Sequence, residues 1–176
     1  GNVDAMLDPD VLTSFGAQRS CAMEKVSGVS DVVYDSYNIQ PGDIMLITSN
    51  SGRNAMPIEM AMRAKKEGIY TVAITNVAQS SSQTSRHFSG KRLFECADIV
   101  LDTNVPQADA CLNIDGILTG PGSSIVTMFL LNTITSEAIR RVLSHGKRPY
   151  VFQSQNVDGF SNDDIYEHFK GRIKHF

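Results

Sequence analysis

Hydroxyl and amide side chains gather at three places where a strand would give way to a helix. The first is Ser49-Asn50-Ser51-Gly52-Arg53-Asn54. Two hydroxyls, a glycine that lets backbone approach closely and the free N–H groups of a helix start are what a phosphate or carboxylate needs. Arg53 adds a bidentate donor. The same residue types are also favoured N-caps and turn formers, so an anion site and a capped turn both stand as readings. The second place is Thr75-Asn76, followed by Ser80, Ser81 and Ser82, where turn chemistry and a ligand-binding role for Thr75 and Asn76 both stand as readings. The third is Gly122-Ser123-Ser124 at the head of a long helical stretch, where either serine could serve only as an N-cap. Three such loops can converge on one crevice.

Proton transfer has two candidates, Glu59 and His87. Glu59 is expected near the start of the helix that follows the first loop, as a base or as a partner of the helix dipole. His87 lies in a polar stretch beside Arg86, either facing a site or solvated. The four histidines show no H-E-x-x-H or other tight ligand spacing, so no metal is expected. Neither G-x-G-x-x-G nor a Walker sequence occurs, and no cofactor is expected.

The elements that must position these residues follow from punctuation and apolar runs. Pro41-Gly42 marks a turn, and residues 43–47 then read as a buried strand. A helix is expected over residues 55–67, with Pro57 tolerated in its first turn and Gly68 ending it. Residues 69–74 read as a strand, 77–91 as a loop, 92–97 as a helical turn and 98–101 as a strand. A short strand is expected over 109–114, a long helix from the third loop to about Ser144, a last strand over 149–153 and a terminal helix over 162–170. Residues 10–37 read as helical, weakened by Gly16 and Gly28. This rhythm implies an α/β fold with a parallel sheet covered by helices on both faces.

Composition narrows the class. The 176 residues are about one domain's length, and 41% apolar with 20% charged is ordinary for a globular chain. A net charge of −3 argues against a general nucleic-acid binder. Three scattered cysteines without a C-x-x-C pair fit a reduced, intracellular protein. The most apolar stretch, residues 125–139, is broken by Asn132, Thr133, Thr135, Ser136 and Glu137, well short of the roughly 20 apolar residues of a membrane span. The N-terminal Gly1-Asn2-Val3-Asp4 has no signal-peptide character. The expectation is a cytoplasmic protein with no membrane or nucleic-acid partner.

Taken together, Ile47-Thr48-Ser49-Asn50-Ser51-Gly52-Arg53-Asn54, the Ala- and Lys-bearing helix, Gly68 and Val72-Ala73-Ile74-Thr75-Asn76 resemble the sugar isomerase (SIS) domain. Residues 85–93, Ser-Arg-His-Phe-Ser-Gly-Lys-Arg-Leu, are similar to a bacterial SIS group labelled phosphoheptose isomerase-like. The resemblance implies a three-layer αβα sandwich with a mainly parallel, flavodoxin-like sheet, a phosphorylated sugar as ligand, and a homodimer or higher homo-oligomer. It implies that Ser49, Ser51 and the position of Asn54 hold the phosphate, and that Ser123 or Ser124 supplies a further hydroxyl. Asn54 stands where the family has Ser or Thr. Family isomerases begin with a helix, a strand and another Gly/Ser loop, and this chain enters the pattern after that point, at Gly1 rather than Met. The expectation is therefore one SIS-type domain over 1–176 that lacks its N-terminal helix and strand. The activity implied is aldose–ketose isomerisation of a phosphosugar, with a non-catalytic phosphosugar sensor as the alternative.

Overall fold

The computed structural model describes residues 2–176, which form two compact units. The larger unit, Leu7–Leu130, is built on a parallel sheet of β1 (Ile44–Thr48), β2 (Tyr70–Thr75) and β3 (Ile99–Asp102), in that order. Leu46 lies opposite Val72, and Ile74 opposite Leu101. Between β1 and β2 runs α3 (Ala55–Lys66), which packs on both strands. Its Ile58, Ala61 and Ala64 are fully buried at helical spacing, and Met45, Ile47, Thr71 and Ala73 are buried on alternate positions of the strands. This is the mixed α/β class expected, with the first strand–loop–helix–strand unit in place.

The sheet is not covered alike on its two sides. Ile44, Leu46, Tyr70 and Ile99 are exposed, whereas the sequence rhythm predicts helices on both faces. The expected helix over 10–37 is also broken. It becomes a 3₁₀ turn at Thr13–Phe15, α1 (Ala17–Met23) and α2 (Val29–Asp35). Gly16 at φ +98° and Gly28 at φ +88° stand at the breaks, in conformations no α-helix contains. Across the α2–α3 contact, Arg63 binds Asp31, Asp35 and Glu67 and lies 4.5 Å over the Tyr34 ring. Burial, then the Glu67 carboxylate, pushes the Tyr34 hydroxyl up to about 12.

The serine-rich stretch expected as loop opens with a short helix, α4 (Val77–Ser81), because Asn76 caps it by accepting from the Gln79 amide at 2.9 Å. The short strand near residue 110 is one half of a hairpin, β4 (Ala110–Ile114) with β5 (Ile117–Pro121), paired antiparallel. Asp115 and Gly116 both have positive φ in its turn, and the Gly116 amide donates to Asn113 Oδ1 at 2.9 Å. That Asp-Gly pair between apolar residues is a hairpin signal of the kind sequence reading can use. The long helix α5 (Ser123–Ser144) begins in this unit where expected.

The second unit comprises residues 2–6 with Leu131–Phe176. It contains the rest of α5 and α6 (Asp163–His168), around buried Ile165 and Ile173 and a cluster of Phe152, Tyr166 and Phe176. The strand expected over 149–153 does not form. The Asn162 side chain takes the place of a neighbouring strand, accepting from the Gln153 amide at 2.8 Å and donating to its carbonyl at 2.9 Å.

Candidate functional site

The Ser49–Asn54 turn leaves β1 at the C-terminal edge of the parallel sheet, where α/β folds place ligands. The Asn50 carbonyl accepts from the Asn76 amide at 3.0 Å and from the Thr75 hydroxyl at 3.2 Å, which ties the turn to the end of β2. Gly52 sits at φ +56°, and a Cβ there would meet Thr75 Oγ1 at 2.8 Å. Only glycine lets the backbone pass this close. Its amide donates to Ser49 Oγ at 3.2 Å and its carbonyl accepts from the Leu93 amide at 2.8 Å.

Residues 85–93 wrap this turn. The Arg86 amide donates to the Arg53 carbonyl at 2.8 Å, and the Arg86 guanidinium donates to Asn54 Oδ1 at 3.1 Å. Asn54 is the N-cap residue of α3, yet its side chain makes no capping hydrogen bond. Pro57, the third residue of the helix, has no N–H to give, and the Asn54 oxygen pairs with Arg86 instead. The Met56 amide alone finds a backbone acceptor outside the helix, the Glu24 carbonyl at 3.0 Å. Arg53 reaches back to Gln83 and Thr84 at 3.2 and 3.4 Å.

The head of α5 is arranged differently. One Asp109 oxygen accepts from the Gly122 and Ser123 amides at 3.0 and 2.7 Å. The other accepts from the Ser123 hydroxyl at 2.6 Å. This carboxylate is held by a segment in which Asn104, Ala108 and Asp109 all have positive φ. Sequence reasoning missed Asp109, because nothing local marks a cap that arrives from 14 residues upstream. Ser123 is therefore engaged, while Ser124 is exposed.

A cavity of about 330 Å³ joins the first and third loops. Ser49, Asn50, Ser123 and Ser124 line it together with Thr48, Ile74, Thr103, Thr127 and Met128. Ser51, Gly52, Arg53 and Asn54 lie along the same turn outside that lining. Thr75 and Asn76 are buried and outside that lining as well. The Asn76 amide is spent at both ends, on Gln79 and on the Val105 carbonyl at 2.7 Å.

The two proton-transfer candidates meet each other, away from this lining. His87 Nε2 lies 3.3 Å from Glu59 Oε1, close enough for attraction but without the alignment of a hydrogen bond. His87 is 5% exposed, not solvated, because Ser89 Oγ at 2.7 Å and Glu59 enclose its ring. Glu59 falls beyond the first turn of α3. It serves another helix, with Oε2 accepting from the Gly28 amide at 2.8 Å and the Ser30 hydroxyl at 2.9 Å at the head of α2. Burial raises the affinity of Glu59 for a proton, but the Gly28 amide, Ser27, Ser30 and His87 outweigh it and hold the carboxyl below the usual range.

Among the described residues, no group of three or more His, Cys, Asp or Glu side chains could hold a metal ion, and no helix is long and apolar enough to cross a membrane. The family model described as the SIS domain matches residues 2–76, which include the whole first turn and β2. A UPF0309 protein of Halalkalibacterium halodurans is 35% identical over 171 residues, 95% of this chain and 71% of that protein. The chain belongs to the SIS-domain family. Its other UPF0309 relatives include one from Caldanaerobacter subterraneus, 34% identical over 98% of this chain and 73% of the relative. One from Streptomyces coelicolor is 41% identical over 89% of this chain and 64% of the relative. The SIS chain thus spans roughly two thirds to three quarters of these relatives' lengths.

Proposed function

We propose that this SIS chain binds a phosphorylated sugar, with the phosphate at the Ser49–Asn54 turn and the start of α3. The observation that carries the reading is that the Ser49–Asn54 turn at the end of β1 runs out of a cavity shared by Ser49, Asn50, Ser123 and Ser124. Hydroxyls and a glycine at a strand-end turn favour an anion, and the hydroxyls around the cavity suit a polyol. The finer proposal is that the whole protein interconverts an aldose phosphate and a ketose phosphate, as a cytoplasmic homodimer or higher homo-oligomer. A base would carry a proton between C1 and C2 while the turn holds the phosphate.

A second reading, a phosphosugar sensor without catalysis, is favoured by the placement of Glu59 and His87. Neither lines the cavity, and Glu59 is committed to the head of α2. A thermal-shift panel of pentose, hexose and heptulose phosphates, the matching free sugars and inorganic phosphate tests binding. Ligand at a hundred times its Kd stabilises by about 2.7 kcal/mol, on the order of 5 °C for a chain of this size. A shift with sugar phosphates and none with free sugars is expected, and a flat panel removes the reading. Turnover of a bound phosphosugar by a full-length UPF0309 relative separates isomerase from sensor.

A further inference from the structure

Thr103 follows the last residue of β3 and is 7% exposed. Its amide donates to the Thr75 carbonyl at 2.9 Å, which fixes it at the sheet edge. Its hydroxyl oxygen is buried without a hydrogen-bond partner, and so is Oδ1 of Asn50. Folded proteins leave few such atoms unpaired, because a buried polar group without a partner is costly. Here two of them belong to one cavity wall, with Ser49, Ser123 and Ser124. Gln79 takes the Asn50 amide nitrogen at 3.5 Å, so the unpaired end is the acceptor oxygen and calls for an O–H or N–H donor.

The charge around the cavity limits what that donor belongs to. No Lys, Arg, His, Asp or Glu lines it, and Ile74 and Met128 supply apolar wall. At the α5 end, the Asp109 carboxylate already occupies the Gly122 and Ser123 amides and the Ser123 hydroxyl. A second anion there would face a negative charge and find those donors spent. Hydroxyl groups on a carbon chain meet both conditions, since they donate to Asn50, pair with Thr103 and lay C–H surface on Ile74 and Met128.

Resting on the phosphosugar reading above, we infer that Thr103 and Asn50 recognise hydroxyls of the sugar's carbon chain, so the cavity holds the neutral part of the ligand and the phosphate points to the α3 side. Thr103 is then a specificity residue, and its hydroxyl contributes nothing to the binding of phosphate alone.

Thr103→Val keeps the shape and removes the hydroxyl. Calorimetric titrations with pentose, hexose and heptulose phosphates and with inorganic phosphate compare wild type, Thr103→Val, Thr103→Ser and Ser51→Ala. Thr103→Val should weaken the sugar phosphate that wild type binds by about tenfold, leave inorganic phosphate unchanged and melt no lower than wild type. Thr103→Ser should restore the affinity, and Ser51→Ala should weaken sugar phosphate and inorganic phosphate together. Unchanged sugar-phosphate affinity in Thr103→Val overturns the inference while leaving the phosphosugar reading intact, provided Ser51→Ala binds less tightly. An equal loss for inorganic phosphate, or a lower melting temperature, also overturns it, since either gives the hydroxyl another role. No binding of any sugar phosphate by wild type overturns the underlying reading.

Discussion

The heads of α3 and α5 are assembled from the same residue types, a glycine and serines at the end of a loop, yet they end in opposite states. At α5 the Asp109 carboxylate fills the helix start with three hydrogen bonds. At α3 the residue in the capping position turns its oxygen to Arg86, and no side chain caps the helix. The head of α2 resembles α5, since Glu59 arrives from another helix to accept from Gly28 and Ser30. Of the heads of α2, α3 and α5, two are thus met by carboxylates of the chain itself. At the third no carboxylate arrives: the Glu24 carbonyl takes the Met56 amide, and Pro57 has no N–H to give. Serine and glycine mark where a helix can begin, and whether it can take a ligand depends on what the rest of the fold brings to its first amides.

The comparison breaks most severely at Gly52. A Cβ there would meet Thr75 Oγ1 at 2.8 Å, Ser80 Oγ at 3.2 Å and Leu93 Cβ at 3.3 Å, at a φ of +56° that L side chains rarely adopt. Gly52→Ala is expected to cost about 3 kcal/mol in urea unfolding through strain and overpacking. Phosphosugar binding should fall with it. A variant as stable as wild type would mean that the turn is not held against β2 as described.

The region around Gly52 was legible in sequence for local reasons. Pro41-Gly42, the apolar run of β1 and Gly68 delimit a strand, turn and helix whose signals all lie within a few residues of the elements they shape. What was not legible depends on partners distant in the chain. Arg86 reaches Asn54 from 32 residues away, and Glu59 reaches Gly28 from 31. His87, placed in a polar loop by its neighbours, is enclosed by Glu59 and Ser89. Residues 149–153 have strand composition, but pairing is a tertiary event, and there the partner is one asparagine side chain.

Removing Asp109 sharpens the comparison from the other side. Asp109→Ala should lose about 1–2 kcal/mol of stability as the head of α5 loses its cap. If that carboxylate is what excludes anions from α5, inorganic phosphate should then protect the variant against thermal unfolding more than it protects wild type. Equal protection of the two proteins would show that the head of α5 never competed for an anion.

Glu59 gives the same comparison a pH axis. Its carboxyl is held below the 4.5 of a free glutamate side chain despite burial, by the amide and hydroxyls at the head of α2 and by His87. A depressed carboxyl contributes stability above its unfolded value and loses it as pH falls through the folded value. Glu59→Gln is therefore expected to be less stable than wild type by about 1 kcal/mol at pH 7. The gap between the two should close in acid, once the pH has dropped past the folded-state value. Urea midpoints of both proteins between pH 3 and 7 measure the gap, and a constant difference would assign Glu59 a packing role instead.

The smallest effect is expected at Ser124, and it discriminates between the two helix heads most directly. Ser124 lines the cavity but is exposed, and Asp109 does not engage its hydroxyl. Replacing it with alanine should change stability by less than about 0.5 kcal/mol, as for an ordinary surface position. If the phosphate sits at α3, Ser124→Ala leaves the affinity for inorganic phosphate where it was and at most trims the affinity for the sugar phosphate. Ser51→Ala, at the uncapped helix, must weaken both. Should Ser124→Ala cost more phosphate affinity than Ser51→Ala, the assignment is reversed: the anion then binds beside Asp109, and the Ser49–Asn54 turn serves the neutral end of the ligand.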